Sequence, residues 1–254
     1  MRPITKILFA LINACLLSGA LGFAAPGGKT AAKSKLKIYF HNYIDNNELK
    51  LDSATYKNQF GQAFTVSKFK YYVGNIRLSR KDGYVYTSNE YFLVNEDEPE
   101  SYQFILPGAP DGDYNSISFN IGVDSAHNCS GAQSGALDPM NGMFWTWNTG
   151  YIFLKLEGYS SFSKSPGHIF EYHIGGFKAP NNCIRNVTLK FKNEGLKLAA
   201  GGNAVIHIKA NAAQVLKSPV AIDFSKLSSV TDSHNSQMVA NNYVSMFSIL
   251  RIEQ

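Results

Sequence analysis

Apolar and polar residues alternate with a period of two along most of this chain, the pattern of strands with one buried and one solvated face. Leu36, Ile38 and Phe40 share one side of the first such segment, and Lys37, Tyr39 and His41 share the other. The pattern returns over Phe69 to Leu78, over Tyr84 to Tyr86 after an Asp82-Gly83 hairpin signal, and in Ile117, Phe119, Ile121 and Val123. It continues through Tyr151 to Glu157, Ile169 to Ile174, Val187 to Phe191 and Ala204 to Ala210. Turn-forming pairs such as Pro107-Gly108, Asp111-Gly112 and Gly201-Gly202 separate these runs. Strands joined in this way predict an all-β domain, an antiparallel β-sandwich of the Ig-like or jelly-roll-like kind.

The period changes near the C-terminus. Val239, Tyr243, Met246, Phe247 and Leu250 fall on one helical face, which predicts a single C-terminal helix with Asp232 or Ser233 as its N-cap. Between Asp124 and Gly142 neither period holds. Gly, Ser, Asn and Asp dominate there, and the stretch reads as a long ordered loop.

The N-terminus departs from both patterns. Arg2 and Lys6 precede an uncharged apolar run from Ile7 to Ala24, which ends in small residues before Ala25-Pro26-Gly27-Gly28. This is the layout of a secretory signal peptide, and Asn13 and Ser18 make the run a poor membrane span. The expected organisation is a signal peptide over residues 1–24, a flexible linker over 25–35 and one domain over 36–254, in a periplasmic or extracellular protein. The net charge of +5 includes Arg2 and Lys6 of the leader, so the exported chain is only mildly basic. No basic run or basic amphipathic helix directs it to nucleic acid or a membrane surface.

Export places the two cysteines outside the leader, Cys129 and Cys183, in an oxidising compartment. They are expected to pair. A bridge closing a loop of about 50 residues stabilises by roughly 4 kcal/mol in the chain-entropy account.

Both tryptophans lie within Met143-Phe144-Trp145-Thr146-Trp147-Asn148-Thr149-Gly150-Tyr151. Extended geometry sets Met143, Trp145 and Trp147 on one face, which serves a core wall and a redox-active site equally well. The histidines are dispersed. His41 faces away from the apolar side of its strand, His127 sits in the loop beside Cys129, and His173 precedes Gly175-Gly176. His207, between Ile206 and Ile208, should face solvent, and His168 reads as a loop residue. His234 and Met238, four apart at the start of the last helix, share a face. Imidazole with thioether suits Cu(I), but no metal-ligand spacing motif is present. Nor do the acids Asp124, Asp138, Glu157 and Glu171, or Ser130 and Ser134 near His127, form a recognisable catalytic arrangement.

Several strings acquire meaning together: Phe69-Lys70-Tyr71-Tyr72-Val73-Gly74-Asn75-Ile76-Arg77-Leu78, Ile121-Gly122-Val123-Asp124-Ser125, Gly135-Ala136-Leu137-Asp138-Pro139, the segment from Met143 to Tyr151 running on to Lys155-Leu156-Glu157-Gly158, and Tyr172-His173-Ile174-Gly175-Gly176. In order and wording they resemble the MbnP-like family of exported proteins, whose founding members accompany methanobactin operons. The resemblance covers about residues 36 to 250. It implies a copper-binding β-protein that is not an enzyme, partnered by a dihaem enzyme of the MauG/cytochrome c peroxidase type that oxidises a tryptophan to kynurenine. Ring opening turns an indole, a poor metal ligand, into an aryl amine and a ketone able to donate to copper. Carried onto this chain, Trp145 or Trp147 is the modified residue. His173, then His41 and His127, with Met143 alongside, are the expected copper ligands. Related methanotroph copper proteins carry a histidine two residues after the modified tryptophan. Trp147 holds that place here, so the histidines must come from distant segments. The competing reading is a metal-free module in which Trp145, Trp147 and Tyr151 form an aromatic platform for a glycan or protein partner.

Overall fold

The computed structural model describes residues 34–145, 150–192 and 195–254. The expected leader and nearly all of the expected linker lie outside the described residues, as do Trp147 and the side chain of His234. The first alternating segment forms β1 (Lys35–Ile44), with every even-numbered residue buried. Short strands β2 (Asn47–Glu48) and β3 (Tyr56–Lys57) lead to β4 (Ala63–Arg80), 18 residues long. β4 does not keep one parity inward over that length. Phe64 and Val66 are buried on even positions, Phe69, Tyr71 and Val73 on odd ones, and Ile76 and Leu78 on even ones again. Register breaks between Val66 and Lys68 and between Gly74 and Arg77 accompany each change, the second with Asn75 at φ 49°. An extra residue at a bulge is what returns apolar side chains to the core when the sequence shifts phase.

The chain continues through β5 (Val85–Ser88), β6 (Phe92–Asn95), β7 (Gln103–Leu106) and β8 (Gly112–Ile121) to a five-residue helix, α1 (Ser125–Cys129). After the tryptophan segment come β9 (Ile152–Tyr159), β10 (Ile169–Gly175), β11 (Arg185–Lys190), β12 (Leu196–Leu198), β13 (Asn203–Asn211) and β14 (Ser229–Val230). Helix α2 (Ser233–Tyr243) and strand β15 (Phe247–Glu253) complete it.

The strands form two sheets. The larger runs β11-β8-β4-β9-β10-β14, with β12 on β8 and β3, β5 and β6 on β4; the smaller runs β15-β13-β1-β2, with β7 on β1. Their inner faces meet at Phe40 of β1, whose ring centroid lies 5.9 Å from that of Tyr71 and 5.7 Å from that of Phe119. The result is a predominantly β, sandwich-like fold. It is not purely antiparallel, because β1 pairs with β13, and β10 with β14, in parallel. Partners so distant in sequence need no hairpin between them, so nothing local fixes their direction.

The C-terminal helix is real but shorter than its apolar pattern suggests. Asp232 caps it by accepting from the Asn235 amide at 3.0 Å, and Val239, Ala240 and Tyr243 are buried. Phe247 and Leu250 belong instead to β15, which pairs with β13. The edge hydrogen bonds of β13 and the aromatic core around Phe40 and Phe119 claim this segment, and that pairing overrides the helical periodicity.

Candidate functional site

The tryptophan segment folds back on itself. The Ile152 amide donates to Met143 O at 2.9 Å, the Trp145 amide donates to Gly150 O at 3.1 Å, and Phe144 bridges Tyr151. Met143 and Trp145 therefore share the buried face that alternation predicts, with Trp145 4% exposed. The indole lies against Gly175 at the end of β10. A Cβ there would stand 2.8 Å from its Cη2 and Cζ3 atoms and 2.5 Å from Tyr151 O, so only glycine fits. A register break between Ile174 and Gly175 lets the strand end in this way.

The loop from Asp124 to Gly142 is tied to the same hairpin. Asn128 of α1 accepts from the Tyr151 amide at 2.9 Å and donates to Val123 O and Asp124 O at 2.7 and 2.8 Å. The Tyr151 hydroxyl donates to Leu137 O at 2.7 Å and accepts from Gln133 at 3.1 Å. Lys155 of β9 donates to Gly142 O at 2.7 Å. Trp145 and Tyr151 are thus both enclosed, and neither offers the open face that the competing platform reading needs of it.

Two histidines beside this region are each held by a carboxylate. His173 Nε2 lies 2.7 Å from Glu157 Oε1, and Lys68 reaches the other oxygen at 3.2 Å. The His173 hydrogen bond, which outweighs burial, and the Lys68 contact hold the Glu157 carboxyl at about 2. His127 Nδ1 lies 2.9 Å from Asp124 Oδ1, which also caps the His127 amide. Tyr91 donates to Asp124 Oδ2 at 2.8 Å, and its ring sits 4.7 Å from the His127 ring. Burial opposes ionisation of Asp124, yet the hydrogen bonds from His127 and Tyr91 keep its carboxyl below the usual range. A carboxylate on one ring nitrogen fixes the tautomer and leaves the other nitrogen to donate, as in metal-ligating histidines.

His41 is not with them. It lies on the smaller sheet, with its Nε2 2.8 Å from His207 Nδ1 and its ring stacked on Tyr39 at 4.1 Å. Burial, then the neighbouring His207 and Arg251, lower its pKa. His207 is 4% exposed, which corrects the solvent-facing expectation. Alternation did point it away from the apolar face, but Tyr39, His41 and Glu253 cover it there. His168 Nδ1 is bonded to Ser163 O within its turn, 2.9 Å away. Among the described residues, no three His, Cys, Asp or Glu side chains converge to hold a metal ion. The expected ligands His173, His41 and His127 thus occupy three separate settings.

Cys129 and Cys183 do not pair, contrary to expectation. Cys129 ends α1 in solvent. Cys183 is wholly buried, its amide donating to Gly176 O at 2.8 Å and its carbonyl accepting from Tyr243 of α2. These bonds and the core around them fix Cys183 inward, and burial pushes its thiol up to about 12. It is a core residue, not a thiolate ligand.

Among solved structures, MbnP from Methylosinus trichosporium is similar at a TM-score of 0.48 and 15% sequence identity, over 75% of this chain and 79% of that one. No functionally curated protein matches. The sequence model of MbnP matches residues 33–238, most of the chain and all of the elements that carry Trp145, His127 and His173, and the protein belongs to the MbnP family.

Proposed function

We propose that this protein is an exported copper-binding protein, not an enzyme, in which Trp145 is oxidised to kynurenine by a partner dihaem enzyme of the MauG/cytochrome c peroxidase type. The observation that carries this reading is the seat of Trp145 against Gly175, two residues beyond His173 on the same strand. His173 is already oriented by Glu157 through Nε2, so its Nδ1 is the nitrogen left to donate. Met143, on the same face as Trp145, supplies a thioether of the softness Cu(I) favours. Copper bound there would be held by the aryl amine or ketone of the modified residue together with imidazole. The protein's own contribution is to bury the indole, to exclude water around it and to hold the histidine tautomer. Among the described residues no helix is long and apolar enough to cross a membrane.

The test is to produce the protein with and without its dihaem partner, then compare the mass of the peptide containing Met143 to Tyr151 and the retention of Cu(I) against a chelator. The reading requires kynurenine at Trp145 and copper retention only in the co-produced protein, with His173→Ala weakening that retention. Unmodified tryptophans and no retained copper in the presence of the partner would sink it.

A further inference from the structure

The larger sheet carries, at the far end of β4, a cleft that the copper reading does not use. Arg80 and Lys81 line it where β4 ends, with Asp82 from the turn that follows, Asp113 and Asn115 from β8, and Phe191 just past β11. Alternation along β8 buries Tyr114 and turns Asp113 and Asn115 outward. The volume of the cleft is about 410 Å³, within the roughly 300–1,000 Å³ usual for small-molecule sites. A second cleft of about 450 Å³ adjoins it at Gly195, which lines both, and carries Lys192 and Arg251.

Arg80 is fixed where a surface arginine is ordinarily free. Its Cζ stands 4.4 Å from the ring centroid of Tyr84 and 4.9 Å from that of Tyr114, and its Nη2 donates to Asp111 O and, at 3.2 Å, to the Tyr114 hydroxyl. Gly112 lets it lie there, because a Cβ on that residue would overlap the guanidinium. The acceptors are a carbonyl and a hydroxyl, both uncharged, so the positive charge is held in place without an ion pair among the described residues. A cation already ordered in this way gives up little freedom when an acidic ligand arrives, and its planar fork matches a carboxylate. The rest of the lining narrows the ligand. Asp82 and Asp113 repel a bare anion and accept from hydroxyls, and the Asn115 amide both donates and accepts. The half-buried ring of Phe191 offers a flat apolar wall to the C–H face of a sugar ring. Lys192 and Arg251 carry positive charge into the adjoining cleft, beyond the length of one such ring, with Arg251 partly engaged by Glu253.

We propose that the two clefts bind an acidic oligosaccharide, a short chain of uronic-acid units. One carboxylate sits at Arg80 and Lys81, the hydroxyls of that unit meet Asp82, Asp113 and Asn115, and a second unit lies on the Lys192 side. The site shares no residue with the tryptophan hairpin or with the histidines, so it stands or falls apart from copper binding and from the oxidation of Trp145.

The experiment titrates protein produced without residues 1–24 by calorimetry. The probes are the trimers of galacturonate, mannuronate and guluronate and their monomers, with neutral galactotriose and inorganic sulfate for comparison. A uronate trimer should bind one to one, about 10-fold or more tighter than its monomer, since only the trimer reaches both clefts. Galactotriose, which lacks the carboxylates, should bind about 10-fold or more weakly than that trimer. Arg80→Lys keeps the charge and removes the fork, and it should weaken trimer binding by roughly 10- to 100-fold. Lys81 and Asp113 are exposed, so Lys81→Ala and Asp113→Asn test the site even if Arg80→Lys unfolds the chain; each should weaken the trimer by about 3-fold or more. Circular dichroism checks the fold of each variant. No binding of any trimer, sulfate or galactotriose bound as tightly as the trimer, or an affinity unchanged in both Lys81→Ala and Asp113→Asn in folded protein, overturns the assignment.

Discussion

The six-membered edge of the Trp145 indole occupies the space that a Cβ on Gly175 would need. The glycine that ends β10 and the tryptophan of the motif are therefore one packing unit. Gly175→Ala should cost about 1–3 kcal/mol, since Tyr151 O on the far side is backbone and the added methyl must displace the ring. Denaturant unfolding measures the loss. In a Trp147→Phe background, a red shift of the emission would report that the indole has moved toward water, and an unchanged midpoint and spectrum would refute the unit.

Glu96 is the half-buried carboxylate of a polar chain in which Tyr71 donates to Asn42 at 3.0 Å and Asn42 donates to Glu96 at 2.7 Å. Burial raises its pKa from 4.5 to about 7. The folded state therefore holds the proton more tightly than the unfolded chain. Stability from this group is present below the unfolded value and is lost as pH rises toward 7. Glu96→Gln keeps an acceptor for Asn42 and removes the ionisation. It should leave stability unchanged in acid and raise it by about 1–3 kcal/mol above pH ~8, as read from urea midpoints across that window.

Asn128 fastens the long loop to the tryptophan hairpin through the hydrogen bond it accepts from the Tyr151 amide, while its own amide nitrogen is held by Val123 O and Asp124 O. Asn128→Ala leaves the buried Tyr151 amide unmatched and should cost about 1–3 kcal/mol. The loss should be local. Hydrogen exchange at Tyr151 and over residues 124–142 should quicken while β4 and β8 keep their protection, and uniform quickening would show that the loop is not a separable unit.

The free thiols predict a two-step titration. In protein produced without residues 1–24, Cys129 should react with a disulfide reagent at once, and Cys183, buried and held at about 12, only as the protein unfolds. Two thiols blocked before unfolding, or none reactive after it, would contradict this arrangement.

Much of the fold was legible along the chain because alternation is local. Leu36, Ile38 and Phe40 face inward since successive residues of a strand point to opposite sides, and no other part of the molecule is needed to say so. The phase changes inside β4, from Phe69, Tyr71 and Val73 to Ile76 and Leu78, were not part of that reading, because the bulges that restore the inward face belong to the pairing with β8 and β9. That Met143 and Trp145 share a face followed from the same rule, whereas their enclosure is a matter of what packs over that face.

The rest depended on partners distant in sequence. Phe247 and Leu250 fit a helical face, but their backbone completes the edge of β13, and those hydrogen bonds with the core contacts of Phe247 outweigh a periodic pattern. Cys129 and Cys183 invited a bridge by number and compartment, whereas burial beneath Tyr243 decides the fate of Cys183. His207 shows the division most clearly. Alternation determined which way its ring leaves the strand, while Tyr39 and His41 of β1 and Glu253 of β15 determine what it meets there, because sheet register joins segments whose adjacency no local pattern encodes.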